Sequence, residues 1–575
     1  MIQFLQDRFK KLYLNDFFLA LVFLILYLCT NSYIYGWDDQ HLEIPLLKHL
    51  IDPSLYKGDY YVESLAKHFS SYLFPILAKI ITVKQIPATY LILFLIARYF
   101  MFFWVFKLWN FISKDRFAAV CATLMFFLMG RTEEFLYRTF SHQELAEGFM
   151  FAGIYFFFRE RYILAAFIFG LAANIHAIYN LFPMCFMMGY IILFDPKRWS
   201  VGFKAGLVFI LSSLPFLLWQ IPASLHDKLL STPIPPSQWI PLYIKSNGQN
   251  FIFWGKSLSE ALKDPTFLIQ QLEPYAFLLL VYILLLNVFP TFKKDKKMHV
   301  CIGVSVAFII TSFIFTYLIP SRFAIDLNLI RNEQYMRFFL MGYITLWAVK
   351  SVKEYSSIWK VFIVAMLFVY IGFGNIFYFE IKTKKYLISL IIMGVIALLI
   401  GLKKWPRLEP ALRKSLILIP LIAAFISFCQ FHYNYIQAKN HDMGFWQFQR
   451  NWKDMQLYVR DHTPKDALIL APIDTDMGGF RIHSERKVLV CIRDCGIVGF
   501  DYGATVEWEK RMQDLKDFMW MTNKPVDQAV VTAILKYKVD YIVFMNYYEP
   551  QENNPAFKKI YQNEVLALYK VLVRV

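Results

Sequence analysis

Apolar blocks of roughly 15–23 residues recur along most of this 575-residue sequence, parted by short charged pieces. Blocks of that length match a hydrocarbon layer about 30 Å thick, so each reads as a membrane-crossing helix. Spans are expected at 17–35, 87–109, 116–130, 144–158, 161–175, 178–194, 201–219, 275–290, 299–319, 336–350, 359–378, 386–402 and 415–433, thirteen in all. The stretch 161–194 reads as two helices because Asn174, His176 and Asn180 interrupt it and Pro183 follows. The basic start (Arg8, Lys10, Lys11) precedes an apolar stretch too long for a signal peptide, which reads as the first span. Apolar residues make up 58% of the chain, against about 45–50% in soluble domains.

The formal charge of +17 first suggests a nucleic-acid partner. Its distribution argues against one. Lys and Arg gather in alternate linkers, such as Lys107 with Lys114, Arg159 with Arg161, Lys197 with Arg198, and 293–297. That is the pattern of cytoplasmic anchoring. It sets the N-terminus inside and, with an odd number of spans, the C-terminus outside; only Lys382, Lys384 and Lys385 run against it.

Two outer loops are long, 36–86 and 220–274. In the first, 69–83 reads as an interfacial helix. The second is rich in Pro and carries no obvious element. After 433 the apolar blocks shorten. Strands are expected at 466–473, 487–492 and 540–545, and helices at 506–521 and 525–537. The expected architecture is a polytopic α-helical membrane bundle (1–433) followed by a small C-terminal α/β domain (434–575) on the outer side. Cys491 and Cys495 lie close enough in sequence to pair in an oxidising compartment.

Four polar constellations carry possible chemistry. Asp38, Asp39, His41 and Glu43 follow the first span; they suit a general base or a divalent-cation site, and equally the start of a capped helix. Arg131, Glu133, Glu134, Arg138, His142 and Glu144 crowd the linker between spans three and four, as binding groups or as surface ion pairs. His176 lies among apolar residues, where a polar group faces a cavity or the bundle interior. Arg331 and Arg337 precede and enter span ten; a planar fork suits phosphate, although snorkelling explains such residues too. Six apart, they need a break near Asn332 to act together. The Asp474-Thr475-Asp476 string reads as a turn after a strand.

Taken together, the inside N-terminus, the many spans, the acidic first outer loop and the outer α/β tail resemble the GT-C superfamily of membrane glycosyltransferases. The stretch Tyr35-Gly36-Trp37-Asp38-Asp39 sits where that superfamily carries its loop-one catalytic Asp. The strings at 52–59 (DPSLYKGD) and 463–472 (TPKDALILAP), with Phe480-Arg481 beyond, also look like bacterial members. The resemblance implies an inverting transferase using a polyprenyl-phosphate-linked sugar donor and a glycan or lipid acceptor, in a bacterial inner membrane. Asp38 and Asp39 would be catalytic. His41, Glu43, Arg131, His142, Glu144, His176, Arg331 and Arg337 would bind substrate, with a divalent cation possible at the loop-one carboxylates. Two alternatives stand beside it: a lipid or polysaccharide transporter or flippase, which ordinarily shows an internal repeat that this sequence lacks, and a non-catalytic scaffold of the same fold.

Overall fold

A computed structural model describes residues 14–30, 33–129, 138–226, 234–354, 439–440, 443–472, 479–515, 528–546 and 555–572. The expected spans 359–378, 386–402 and 415–433 lie outside these, as do Arg131, Glu133, Glu134 and the 474–476 string.

Helix α1 (Asp16–Thr30) starts where the Asn15 side chain accepts from the amides of Phe17 and Phe18, a cap that satisfies two orphan N–H groups. Loop one then folds into α2 (Gln40–Ile51), α3 (Tyr60–His68) and α4 (Leu73–Ile80), the last being the expected interfacial piece in shorter form. The bundle continues with α5 (Ile86–Ser113), α6 (Arg116–Met129), α7 (His142–Phe158), α8 (Tyr162–Ala173) and α9 (Ala177–Phe194). The break expected at 174–176 is present.

That break also explains the first departure. The expected single span 201–219 is a pair, α10 (Trp199–Ser212) and α11 (Leu214–His226), bent by 62°. A kink frees backbone groups, and Asn174 takes them up: its amide donates to Ser212 O at 2.8 Å, and its carbonyl accepts from Phe216 N at 3.0 Å. Gly170 lets the two breaks meet, since a Cβ there would lie 2.0 Å from Ser212 Oγ.

The loop expected without structure at 220–274 is largely helical. Helix α12 (Pro236–Asn247) and helix α13 (Pro265–Val288) both begin on Pro, which is pre-organised for the first helical turn rather than a breaker there. Helix α13 therefore starts ten residues ahead of the span expected at 275. Next come α14 (Lys296–Phe313) and α15 (Asn332–Glu354).

Among the described residues four helices are long and apolar enough to cross a membrane, or five with the bent pair. Helices α1, α6 and α8 are apolar but shorter. This is the build of an integral membrane protein, and the thirteen expected spans are not reached within the described residues.

In the tail, α16 (Phe445–His462) leads to a five-stranded sheet of β1 (Leu468–Leu470), β2 (Lys487–Val488), β3 (Tyr541–Met545), β4 (Phe557–Gln562) and β5 (Leu566–Val571). Strand order is β2-β1-β3-β5-β4, with β1 parallel to β2 and β3 and the last two pairings antiparallel. The three expected strands are present, shortened. Helix α17 (Tyr502–Asp514) overlaps the helix expected at 506–521 but starts four residues earlier, and α18 (Gln528–Tyr537) lies within the one expected at 525–537. Neither α16 nor the β4–β5 hairpin was expected. Strand β4 is mostly exposed and reads as polar, and the buried apolar side chains of α16 are few, among them Trp452, Met455 and Val459, in a charged sequence. Cys491 and Cys495 are separate thiols.

The tail is packed into the rest of the chain. Ile482 and Ile497 belong to the same apolar core as the helices of the bundle. Val490, Val498 and Trp508 pack with Trp239, Tyr243 and Ile325 from the segments before α13 and α15.

Candidate functional site

Loop one turns sharply after α1. Gly36 (φ +84°) and Asp38 (φ +48°) both take the left-handed region, which a short polar side chain tolerates better than most. The turn sets Asp39 at the N-cap of α2, yet its side chain makes no cap hydrogen bond. The Asp38 carboxylate instead faces Arg493 of the tail at 3.6 Å.

His41 is buried behind this turn. Its Nδ1 lies 2.5 Å from Asp38 O, and its Nε2 lies 3.4 Å from both Arg493 O and the Tyr61 hydroxyl. A carbonyl can only accept, so Nδ1 carries the proton and Nε2 accepts from Tyr61 in the neutral ring. Burial, reinforced by the Arg493 charge, pulls the imidazole down to about 4, so it is neutral at pH 7.

Glu43, one turn on, is fully buried. Its Oε1 accepts from His142 N at 3.0 Å and faces His142 Nδ1 at 2.6 Å, while Oε2 is buried without a hydrogen-bond partner. Burial and the neighbouring Asp39 charge push the carboxyl well above its ordinary range, favouring the protonated form.

From His142 the polar path continues. Its ring stacks on His176 at 4.9 Å, and His176 meets Tyr179 at 4.7 Å. The Tyr179 hydroxyl lies 3.5 Å from Arg331 Nη1. Residues from α2, α7, the α8–α9 break and the segment before α15 thus form one line from Asp39 to Arg331 at one end of the bundle. The expected break at Asn332 is there: a 3-10 turn, Leu329–Arg331, ends where α15 begins. Beyond the break, Arg337 pairs with Glu333 one turn away.

Glu144 is committed elsewhere. It caps α7 through Ser141 and pairs at 3.3 Å with Arg98. Arg98 also meets Glu147 at 3.2 Å, and all three side chains are fully buried inside the bundle. Among the described residues no three of His, Cys, Asp and Glu gather as ligands for one ion, so the possible cation at the loop-one carboxylates has no prepared cage there.

Sequence reasoning missed the tail's share of the site. Arg481 is buried and donates to Asp59 Oδ2 at 2.7 Å and Oδ1 at 3.2 Å, and to Asp494 Oδ1 at 2.8 Å and Oδ2 at 3.1 Å. Asp59 also caps α3 and accepts from Val488 N at 3.1 Å. Lys48 bridges to Glu485 at 2.6 Å. The only signal available was that Asp59 closes one of the two family-like strings and Arg481 follows the other.

A family model described as a domain of unknown function (DUF6798) matches residues 450–515, the stretch of tail seated on loop one. No curated protein matches the sequence. Among solved structures the chain is similar to ArnT from Cupriavidus metallidurans. The crystal structure of ArnT bound to undecaprenyl phosphate is 10% identical, with TM-score 0.46 and 96% of each chain covered. The apo structure is 9% identical, with TM-score 0.48 over the same shares.

Proposed function

We propose that this chain is a membrane glycosyltransferase that moves a sugar from a polyprenyl-phosphate donor to a hydroxyl of a glycan or lipid acceptor. The reaction would take place at the outer face of a bacterial inner membrane, with the N-terminus cytoplasmic and the 434–575 domain outside. One observation carries the reading: the loop-one carboxylates and Arg331, far apart in sequence, are joined by the Glu43–His142–His176–Tyr179 line.

Roles follow from the geometry. Asp39, half-buried and without a cap hydrogen bond, is the general base. It takes the acceptor hydroxyl proton as that oxygen bonds to the anomeric carbon. The carbon–oxygen bond to phosphate breaks, and the polyprenyl phosphate leaves with the electron pair. Arg331 meets the charge that develops on it. A single displacement of this kind inverts the anomeric centre. His142 and His176, flat and neighbouring, suit the wall of a sugar pocket.

The test is transfer of labelled sugar from synthetic polyprenyl-phosphate donors by the full chain in lipid nanodiscs. Asp39→Asn should lower turnover by about 10²-fold or more, the worth of a general base, with the fold unchanged. Asp38→Asn and Arg331→Gln should also lower it. An Asp38→Asn/Asp39→Asn double variant with full activity would falsify the assignment. A lipid or polysaccharide transporter is the second reading, favoured by the buried Arg98–Glu144–Glu147 trio, since ionisable groups inside a bundle mark transport paths. Flipping of donor lipid without covalent transfer would select it.

A further inference from the structure

The loop-one turn is held from outside as well as by its own chain. Asp38 is fixed at three points: a left-handed backbone, a carbonyl taken by His41 Nδ1, and a carboxylate facing Arg493. One of the three, the carboxylate, is held by the tail itself. A second tail residue closes the contact. A Cβ on Gly479 would lie 2.9 Å from His41 Cβ and 3.2 Å from His41 Cα, so that approach is open only to glycine.

Behind this surface is an ionic node that fixes its register. Arg493 sits beside Asp494 on the 3-10 turn Ile492–Gly499. Asp494 is locked to Arg481, to Cys491 N at 3.1 Å and to the Tyr60 hydroxyl at 3.2 Å. Arg481 is locked in turn to Asp59 at the N-cap of α3. The node therefore ties the tail to the same loop that carries Asp38 and Asp39. A guanidinium buried between two carboxylates is costly to assemble and defines one arrangement, which suits a device for placing other groups.

We propose that the tail stretch 479–501 is a working wall of the loop-one site and that Arg493 is its positioning residue, acting through Asp38 to hold Asp39 in place. This rests on the transferase reading. It gives the segment matched by the family model of unknown function a role: a cap that docks on loop one and sets the geometry of the carboxylates beneath it. Arg493 is partly exposed, at 35% of its side chain, so its loss need not unfold the tail. Charged and titratable groups facing Asp38 include Arg493 from the tail and His41 of α2, with Tyr61 of α3 behind His41.

The experiment uses the full chain in nanodiscs with three variants, Arg493→Ala, Arg493→Lys and Gly479→Ala. Steady-state sugar transfer is measured from pH 4 to 9, and carbodiimide labelling of Asp38 is followed by mass spectrometry over the same range. Arg493→Ala should lower kcat about 10–100-fold with KM little changed, the cost of a small misplacement of reacting groups. It should also move the acid limb of the rate profile, and the midpoint of Asp38 labelling, to higher pH, because the cation that favours the carboxylate is gone. Arg493→Lys should restore the labelling midpoint and part of kcat. Gly479→Ala should lower kcat without moving the midpoint, since it displaces the wall and leaves the charge. Wild-type kcat and an unmoved midpoint in Arg493→Ala would overturn the proposal. If the wild-type chain transfers no sugar the transferase reading falls instead, and the labelling arm still reports whether Arg493 governs Asp38.

Discussion

Arg481→Met tests the node between tail and loop one most directly. The side chain it replaces is fully engaged, with two contacts to Asp59, two to Asp494 and one to Val488 O at 3.1 Å. Methionine keeps much of the apolar stem and removes the charge. Two carboxylates, 2% and 0% exposed, are then left facing each other without a cation. Breaking a buried pair in this way costs about 3–5 kcal/mol, because the abandoned charge stays buried. The remaining bonds to Tyr61 N, Val488 N, Cys491 N and the Tyr60 hydroxyl soften that loss and leave the range as it is. The tail should open from loop one more often by roughly two to four powers of ten. Hydrogen exchange read by mass spectrometry should show faster exchange in Tyr60–His68 and Ile492–Gly499, with α5 unaffected. Burial already pushes the Asp494 carboxyl up, and Arg481 holds it back. Without Arg481 the folded state binds a proton more readily than the unfolded one, so the defect should shrink as pH falls and grow as pH rises. Adding Asp59→Asn and Asp494→Asn should recover much of the loss, since a neutral node carries no stranded charge. Unchanged exchange in both peptides of Arg481→Met at pH 7 would refute the argument.

Three further outcomes are expected. His41 titrates near 4 when folded against about 6.5 when unfolded, so the unfolded chain takes up the proton first; stability should fall by up to about 3 kcal/mol as pH drops from 6.5 to 4, and His41→Asn should flatten that part of a thermal-unfolding series. Glu43 has the opposite sign, raised when folded, so its contribution is lost as pH rises; Glu43→Gln should match or exceed wild-type stability above pH 7 and remove a protonated-carboxyl band from the infrared spectrum, and persistence of that band would contradict the assignment. Gly170→Ala should cost about 1–3 kcal/mol by overpacking, because its Cβ would sit 2.6 Å from Phe209 O as well as against Ser212; an unshifted melting temperature in nanodiscs would show that the α8–α10 crossing yields freely.

Much of the bundle was legible because lipid imposes a length and a polarity on each helix. The break at Asn174–His176 shows this well: polar residues inside an apolar run have to answer to a partner. The run at 199–226 did not announce its bend, because the groups that stabilise it come from Asn174 on another helix. The Pro-rich stretch around 236 and 265 misled because a proline that ends one helix and a proline that begins another look alike without the neighbouring turn. Strand β4 and helix α16 were hidden for a similar reason, their apolar residues being few and meaningful only against the sheet they cover.

At the site the division is sharper. Sequence alone marked Asp38, Asp39, His41, Glu43, His142, His176 and Arg331 as residues with no ordinary place beside apolar helices, because an ionisable group near lipid needs a reason. It could not say that Glu43 meets His142, that Arg337 pairs with Glu333, or that Glu144 pairs with Arg98. Nor could it reveal that Arg481 and Arg493, more than four hundred residues downstream, complete the first loop. Chemical type and depth are local properties and can be read along a chain. Pairing between charges depends on which surfaces meet in three dimensions, and only the folded tail, seated on loop one, decides that.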